Sequence, residues 1–194
     1  MKVAIVKYNA GNVCSVENAL KRLGIEPFIT DKLDELQTAD RVIFPGVGEA
    51  STAMQYLREK GLDQVIKHLH QPVLGVCLGM QLLGEMSEEN ETVGLGIMPF
   101  RIKKFESKTQ KVPHTGWNQI GKLNSKLFHE VAENSFVYFV HSYFAEINPV
   151  TIAETDYIKN FSAAVEHKNF YAVQFHTEKS GKVGEKILEN FLKL

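Results

Sequence analysis

The chain has 194 residues, a formal net charge of −1, 44% hydrophobic and 23% charged residues. One domain spanning residues 1–194 is expected at this length, with enough apolar content for a buried core. Near-neutral charge offers no overall attraction to nucleic acid or to a membrane surface. The first eight residues lack the features of a secretory leader, and no apolar run is long enough to cross a bilayer, so a cytosolic protein is expected. The two cysteines, Cys14 and Cys77, make no disulfide framework and stay reduced in that setting.

Residues 3–6, Val-Ala-Ile-Val, form a continuous apolar run, as in a strand covered on both faces. Residues 12–23 read as an amphipathic helix stopped by Gly24. Short strands follow at 27–30 and 42–44, the second running into the loop Pro45-Gly46-Val47-Gly48. Residues 51–60 read as a helix stopped by Gly61, 73–76 as a buried strand and 78–85 as the helix after it. Strands alternating with helices predict a parallel sheet wrapped on both sides. Beyond Val93 the pattern changes to short strands at 97–105, 136–141, 150–154, 162–166 and 171–175. His167-Lys168-Asn169 connects the last two as a hairpin. An amphipathic helix over 184–193 closes the chain. The expected fold is an open, mixed but mostly parallel α/β sheet flanked by helices, with an antiparallel section in the C-terminal half.

Gly75-Val76-Cys77-Leu78-Gly79 falls at a strand-to-helix junction. A nucleophile on such a turn is held out of the sheet, and small flanking residues let the chain bend sharply. The helix N-terminus favours a thiolate, and the Leu78 amide is placed to donate to an oxyanion. An isolated cysteine reads as a structural one. The flanking glycines and the junction favour a nucleophile at Cys77, and Cys14, without them, stays structural.

A thiolate attacking an amide needs a proton donor for the leaving nitrogen, and histidine suits that task. Of the 7 histidines, His68, His70, His129 and His167 fall in polar stretches and read as surface residues. His176 ends an apolar strand, where sites form in open α/β sheets. Glu178, two residues on, can orient the imidazole. Taken alone, His176-Thr177-Glu178 also reads as a polar loop before the last helix.

Together these residues resemble the class I (triad) glutamine amidotransferases. Gly75, Cys77, Gly79 and Gln81 match the G-x-C-x-G-x-Q elbow of that family, His176 and Glu178 its late H-P-E, and Pro45-Gly46-Val47-Gly48 its oxyanion loop. The resemblance spans essentially the whole chain. It implies a Cys77–His176–Glu178 triad that hydrolyses glutamine through a thioester, without cofactor or metal. It implies an oxyanion site at Val47, Gly48 and Leu78, with a loop peptide that reorients before donating, and substrate contacts from Gln81, His141, Ser142 and Tyr143.

Within the family, Lys111-Val112-Pro113-His114-Thr115-Gly116-Trp117-Asn118 and Gln174-Phe175-His176-Thr177-Glu178-Lys179-Ser180 resemble segments of the glutaminase subunits of imidazole glycerol phosphate synthase, as do Gly11-Asn12 and Ser15. That branch passes ammonia to a cyclase partner in histidine biosynthesis, which implies a heterodimer with Asn12, Trp117 and Lys179 at or near the interface. Trp117 can otherwise be a core residue. Two departures stand out. Thr177 replaces the usual proline and removes a φ constraint next to His176. The segment from Lys7 to Asn12 lacks the usual aspartate. The alternatives are a glutaminase serving another synthase, such as the pyridoxal phosphate or anthranilate systems, and a non-catalytic relative that only binds a partner.

Overall fold

The computed structural model describes residues 1–8 and 11–194; Asn9 and Ala10, within the segment that departs from the family pattern, lie outside them. The first half runs β1 (Val3–Val6), α1 (Val13–Arg22), β2 (Phe28–Thr30), α2 (Leu33–Gln37), β3 (Arg41–Phe44), α3 (Ala50–Glu59), α4 (Leu62–Lys67), β4 (Val73–Val76) and α5 (Leu78–Leu83). The second half runs β5 (Met86–Ser87), β6 (Thr92–Val93), β7 (Arg101–Lys104), β8 (His114–Ile120), β9 (Ser135–His141), β10 (Tyr143–Ala145), β11 (Thr151–Tyr157), β12 (Lys159–His167), β13 (Phe170–Val173) and α6 (Gly181–Lys193).

The central sheet has seven strands in the order β11-β12-β13-β4-β3-β1-β2. The pairs β1–β2, β1–β3, β3–β4 and β4–β13 are parallel, and β11–β12 and β12–β13 are antiparallel. This is the mixed, mostly parallel α/β sheet expected from the sequence. Alternation along β1 shows why helices cover both faces. Val3 and Ile5 pack in one layer with Val16, Leu20, Leu188 and Phe191 of α1 and α6. Ala4 and Val6 pack in the other with Met54, Leu57, Ile66 and Leu82 of α3, α4 and α5. All four β1 side chains are fully buried, and full burial of a Val- or Ile-sized side chain contributes about 1.5–3 kcal/mol.

The antiparallel part is more divided than the sequence suggests. Besides β11 and β12 there is a four-stranded sheet, β10-β7-β5-β6, in which β5 and β7 run parallel, and a separate antiparallel ribbon, β8-β9. The expected strand at 97–105 is only Arg101–Lys104. Pro99 has no amide to give a ladder, and the amides of Ile97 and Met98 instead donate to the Leu83 carbonyl at the end of α5. The strand expected at 171–175 ends at Val173, so Gln174 and Phe175 lie beyond the ladder. The hairpin after His167 is present: His167 pairs with Phe170 across a turn in which Lys168 has φ 55°. Among the described residues no helix is long and apolar enough to cross a membrane.

Candidate active site

Cys77 sits where β4 ends and α5 begins, with φ 54° and ψ −110°. A residue with a side chain avoids that region at a cost of about 1–3 kcal/mol, so the surrounding packing must impose it. Gly79 shows how tight the bend is: a Cβ there would stand 1.8 Å from the Phe44 carbonyl oxygen. The Cys77 amide donates to the Val173 carbonyl on the neighbouring strand β13 (2.8 Å). The elbow is thereby tied to the strand that carries His176 three residues later.

The segment holding His176 is clamped at both ends. The His176 amide donates to the Tyr138 carbonyl on β9 (2.9 Å). Ser180 Oγ donates to the His176 carbonyl (2.6 Å) and accepts from the Tyr138 amide (2.9 Å). His176 Nδ1 lies 2.7 Å from Glu178 Oε1, and both side chains are fully buried. A carboxylate only accepts, so Nδ1 carries the proton. Burial pushes the imidazole pKa down; hydrogen bonding to the Cys77 sulfur and to Glu178, with the charges of both, outweighs this and raises it to about 10. Nε2 is therefore the nitrogen on the Cys77 side, and it has no well-aligned hydrogen-bond partner among the described residues, which leaves it available to a reacting group.

The loop expected to hold the oxyanion is closed on itself. The Leu78 amide donates to the Gly46 carbonyl (3.2 Å), so the first expected oxyanion donor is occupied. Tyr8 supports this arrangement from behind. Its hydroxyl donates to the Pro45 carbonyl (2.5 Å), and a Cβ on Gly46 would stand 2.2 Å from that oxygen. Burial, and then the Cys77 charge, raises the Tyr8 pKa far above that of a free phenol, so the hydroxyl keeps its proton.

A cleft of about 300 Å³ opens on Cys77 and is lined by Val47, Gly48, Leu78, Gln81, Glu89, His141, Ser142 and Tyr143. All residues expected from the sequence to hold the oxyanion or the substrate therefore meet here. Gln81 Nε2 donates to the Tyr143 carbonyl (3.0 Å), which turns Gln81 Oε1 away from that carbonyl. His141 Nδ1 donates to the same carbonyl (2.8 Å), so its Nε2 accepts from His114 Nδ1 (3.0 Å). His114 Nε2 in turn accepts from Asn118 (3.3 Å). Burial lowers the His141 pKa to about 3 and that of His114 to about 4, so both rings are neutral props under the cleft.

Asn12 was expected near a partner, and its amide donates to Glu178 Oε1 within the site itself. Trp117 is 55% exposed, with its ring edge-to-face on Tyr138, and is not a core residue. Lys179 is exposed beside the triad turn. Four residues of the site went unassigned in the sequence: Tyr8, Glu89, His114 and Gln174. Glu89 lies on a short helical turn after α5, caps the Ala50 amide (2.8 Å), and has a pKa raised by burial. Nothing in the polar run Glu88-Glu89-Asn90-Glu91 marks which carboxylate faces inward.

The class-I glutamine amidotransferase sequence profile matches residues 5–194. The chain is 59% identical, over the full length of both chains, to imidazole glycerol phosphate synthase subunit HisH of Bacteroides thetaiotaomicron. It is 44% identical, again over both full lengths, to the subunit of the same name in Escherichia coli. A crystal structure of a glutamine amidotransferase superposes with a TM-score of 0.75 at 18% identity, covering 98% of this chain and 97% of that one, which bears on the fold alone. On the profile match and these full-length relatives, the chain belongs to the class-I glutamine amidotransferase family.

Proposed function

We propose that this chain is a single-domain glutaminase subunit of imidazole glycerol phosphate synthase, working in the cytosol with a cyclase partner in histidine biosynthesis. The observation that carries the chemistry is the constellation of Cys77 on a strained elbow and His176 held by Glu178 at 2.7 Å, with its Nε2 on the Cys77 side. The full-length relatives, both imidazole glycerol phosphate synthase subunits, support the choice of synthase.

In this reading the Cys77 thiolate attacks the side-chain carboxamide carbon of glutamine. His176, protonated at rest, hands its Nε2 proton to the leaving ammonia, and a γ-glutamyl thioester remains on Cys77. His176 then takes a proton from water, which attacks the thioester; glutamate leaves and the thiolate returns. Leu78 and Val47 amides hold the oxyanion once the Gly46–Val47 peptide turns over. Gln81 Oε1, the Glu89 carboxylate and the Ser142–Tyr143 backbone face the amino-acid end of glutamine. Trp117 and Lys179 are the exposed contacts assigned to the cyclase, and Asn12 links that side to Glu178.

The test is to mix the chain with the cyclase subunit and its ribonucleotide ligand and to measure glutamate. Hydrolysis should rise on mixing and vanish in Cys77→Ala, with circular dichroism unchanged. No stimulation rejects the partner; ammonia release by Cys77→Ala rejects the triad.

A further inference from the structure

Gln174 lies one residue past β13 and is wholly buried. Its carboxamide takes no part in the chemistry described so far. Nε2 stands 3.7 Å from Cys77 Sγ, and Oε1 accepts from Gln81 Nε2 at 3.0 Å.

The two ends of a carboxamide are nearly the same shape, and here the hydrogen-bond partners decide which is which. The Tyr143 carbonyl can only accept, so Gln81 must turn Nε2 toward it. The same nitrogen reaches Gln174, which must then present its oxygen. Gln174 Nε2 is left facing the sulfur. The opposite orientation would set nitrogen against nitrogen at Gln81, which is unfavourable in a buried site, and would offer the sulfur a carbonyl oxygen that suits only a neutral thiol.

The other polar surroundings of the sulfur increase the weight of this donor. The Val140 carbonyl, 3.9 Å from Sγ, accepts a thiol proton but offers nothing to a thiolate. The Leu78 amide is engaged by Gly46. Besides the imidazolium, the Gln174 carboxamide is the donor aimed at the sulfur among the described residues.

We propose that Gln174 is a further catalytic residue: its carboxamide N–H donates to the Cys77 sulfur and favours the thiolate, in an orientation set by Gln81 of the glutamine cleft. This rests on Cys77 being the nucleophile. The donor acts when the sulfur carries charge, before attack and again as the thiolate leaves in deacylation. It weakens while the sulfur is a neutral thioester, so its effect is differential.

The test uses the full chain with Cys14→Ser, because Cys14 is exposed and would also alkylate. Gln174→Met keeps side-chain bulk and removes the donor. Its iodoacetamide alkylation at Cys77 should slow about tenfold or more near neutral pH, with the pH profile moved to higher pH, as for a lost hydrogen bond to a charged group. With the cyclase and its ligand present, kcat for glutamine should fall about 10–100-fold. A wild-type alkylation profile in this variant overturns the proposal. Should Gln174→Met not fold, the side-chain amide resonances of Gln174 in the parent chain decide instead. They should move with the pH midpoint of Cys77 alkylation, and resonances indifferent to that midpoint overturn the contact. Alkylation needs no glutamine, so failure of the glutaminase reading shows separately, as absent turnover in the parent chain.

Discussion

The Leu78 amide donates to the Gly46 carbonyl at 3.2 Å, and in the proposed mechanism this is the contact that must break before the site can hold an oxyanion. The Gly46 carbonyl and the Val47 amide belong to one peptide unit. Turning that unit over frees Leu78 and brings the Val47 N–H round toward the oxyanion, giving two donors for one rearrangement. Val47→Pro removes that N–H. It should lower kcat about 100–1,000-fold, the usual effect of losing one oxyanion donor, while Cys77 still alkylates. Steady-state glutamate release checks this, and an unchanged kcat rules Val47 out as a donor.

Cys77 holds φ 54°, a conformation that glycine tolerates better than any residue with a Cβ. Comparing Cys77→Gly with Cys77→Ala isolates the strain, since both lose the sulfur. The glycine variant should unfold at higher denaturant, by about 1 kcal/mol, the reverse of the usual helix preference for alanine. Equal midpoints, or a more stable alanine variant, would mean the elbow is unstrained.

The His176 pKa is raised to about 10, above the ordinary histidine value of 6.5. For a base raised on folding, the stabilisation is fully present below about pH 6.5 and is lost as pH rises through about 10. In the proposed mechanism the same proton is handed to ammonia, so glutamine hydrolysis should decline on the alkaline side as pH approaches that value. Glu178→Gln removes a charge that helps hold the proton. Its alkaline limb should move to lower pH and its kcat should drop about 100-fold or more, as expected when an imidazole loses its orienting carboxylate. A pH–rate profile with an unmoved alkaline limb contradicts this.

Thr177 stands where the resembled family motif has proline, and its side-chain hydroxyl is buried without a hydrogen-bond partner among the described residues. His176, before it, has φ −89° and ψ 103°, an extended conformation that a following proline accepts. Thr177 opens the helical turn, a position that suits proline. Thr177→Pro therefore removes an unpaired hydroxyl and restricts the unfolded chain. It should stabilise the protein by about 1–3 kcal/mol, seen as a higher Tm, with glutamine hydrolysis retained. A lower Tm means that the ring does not fit.

Much of the fold is legible in the local sequence where local physics is sufficient. The run Val3-Ala4-Ile5-Val6 is apolar at every position because β1 is central and covered on both faces. The Lys168–Asn169 turn and the stops at Gly24 and Gly61 are likewise local. β8 was missed as a strand because His114-Thr115-Gly116-Trp117-Asn118-Gln119-Ile120 carries few β-branched residues, and its pairing partner β9 begins fifteen residues further on. The strand expected at 97–105 lost its first half because two of its amides serve α5, a long-range choice that no propensity records.

The site divides in the same way. Residue types and spacing, with the family resemblance, singled out Cys77, Gln81, His176 and Glu178 as candidates, because an elbow and an H-x-E turn are short and chemically distinctive. Only the tertiary structure decided what surrounds them. Parallel pairing of β4 with β13 sets the elbow and the His176 turn at the same end of neighbouring strands. The Tyr143 carbonyl fixes the polarity of Gln81 and Gln174, and Tyr8 and Gly46 hold the oxyanion loop. Those relationships depend on which groups run out of alternative partners once water is excluded, and that is a property of the packed chain rather than of any segment of it.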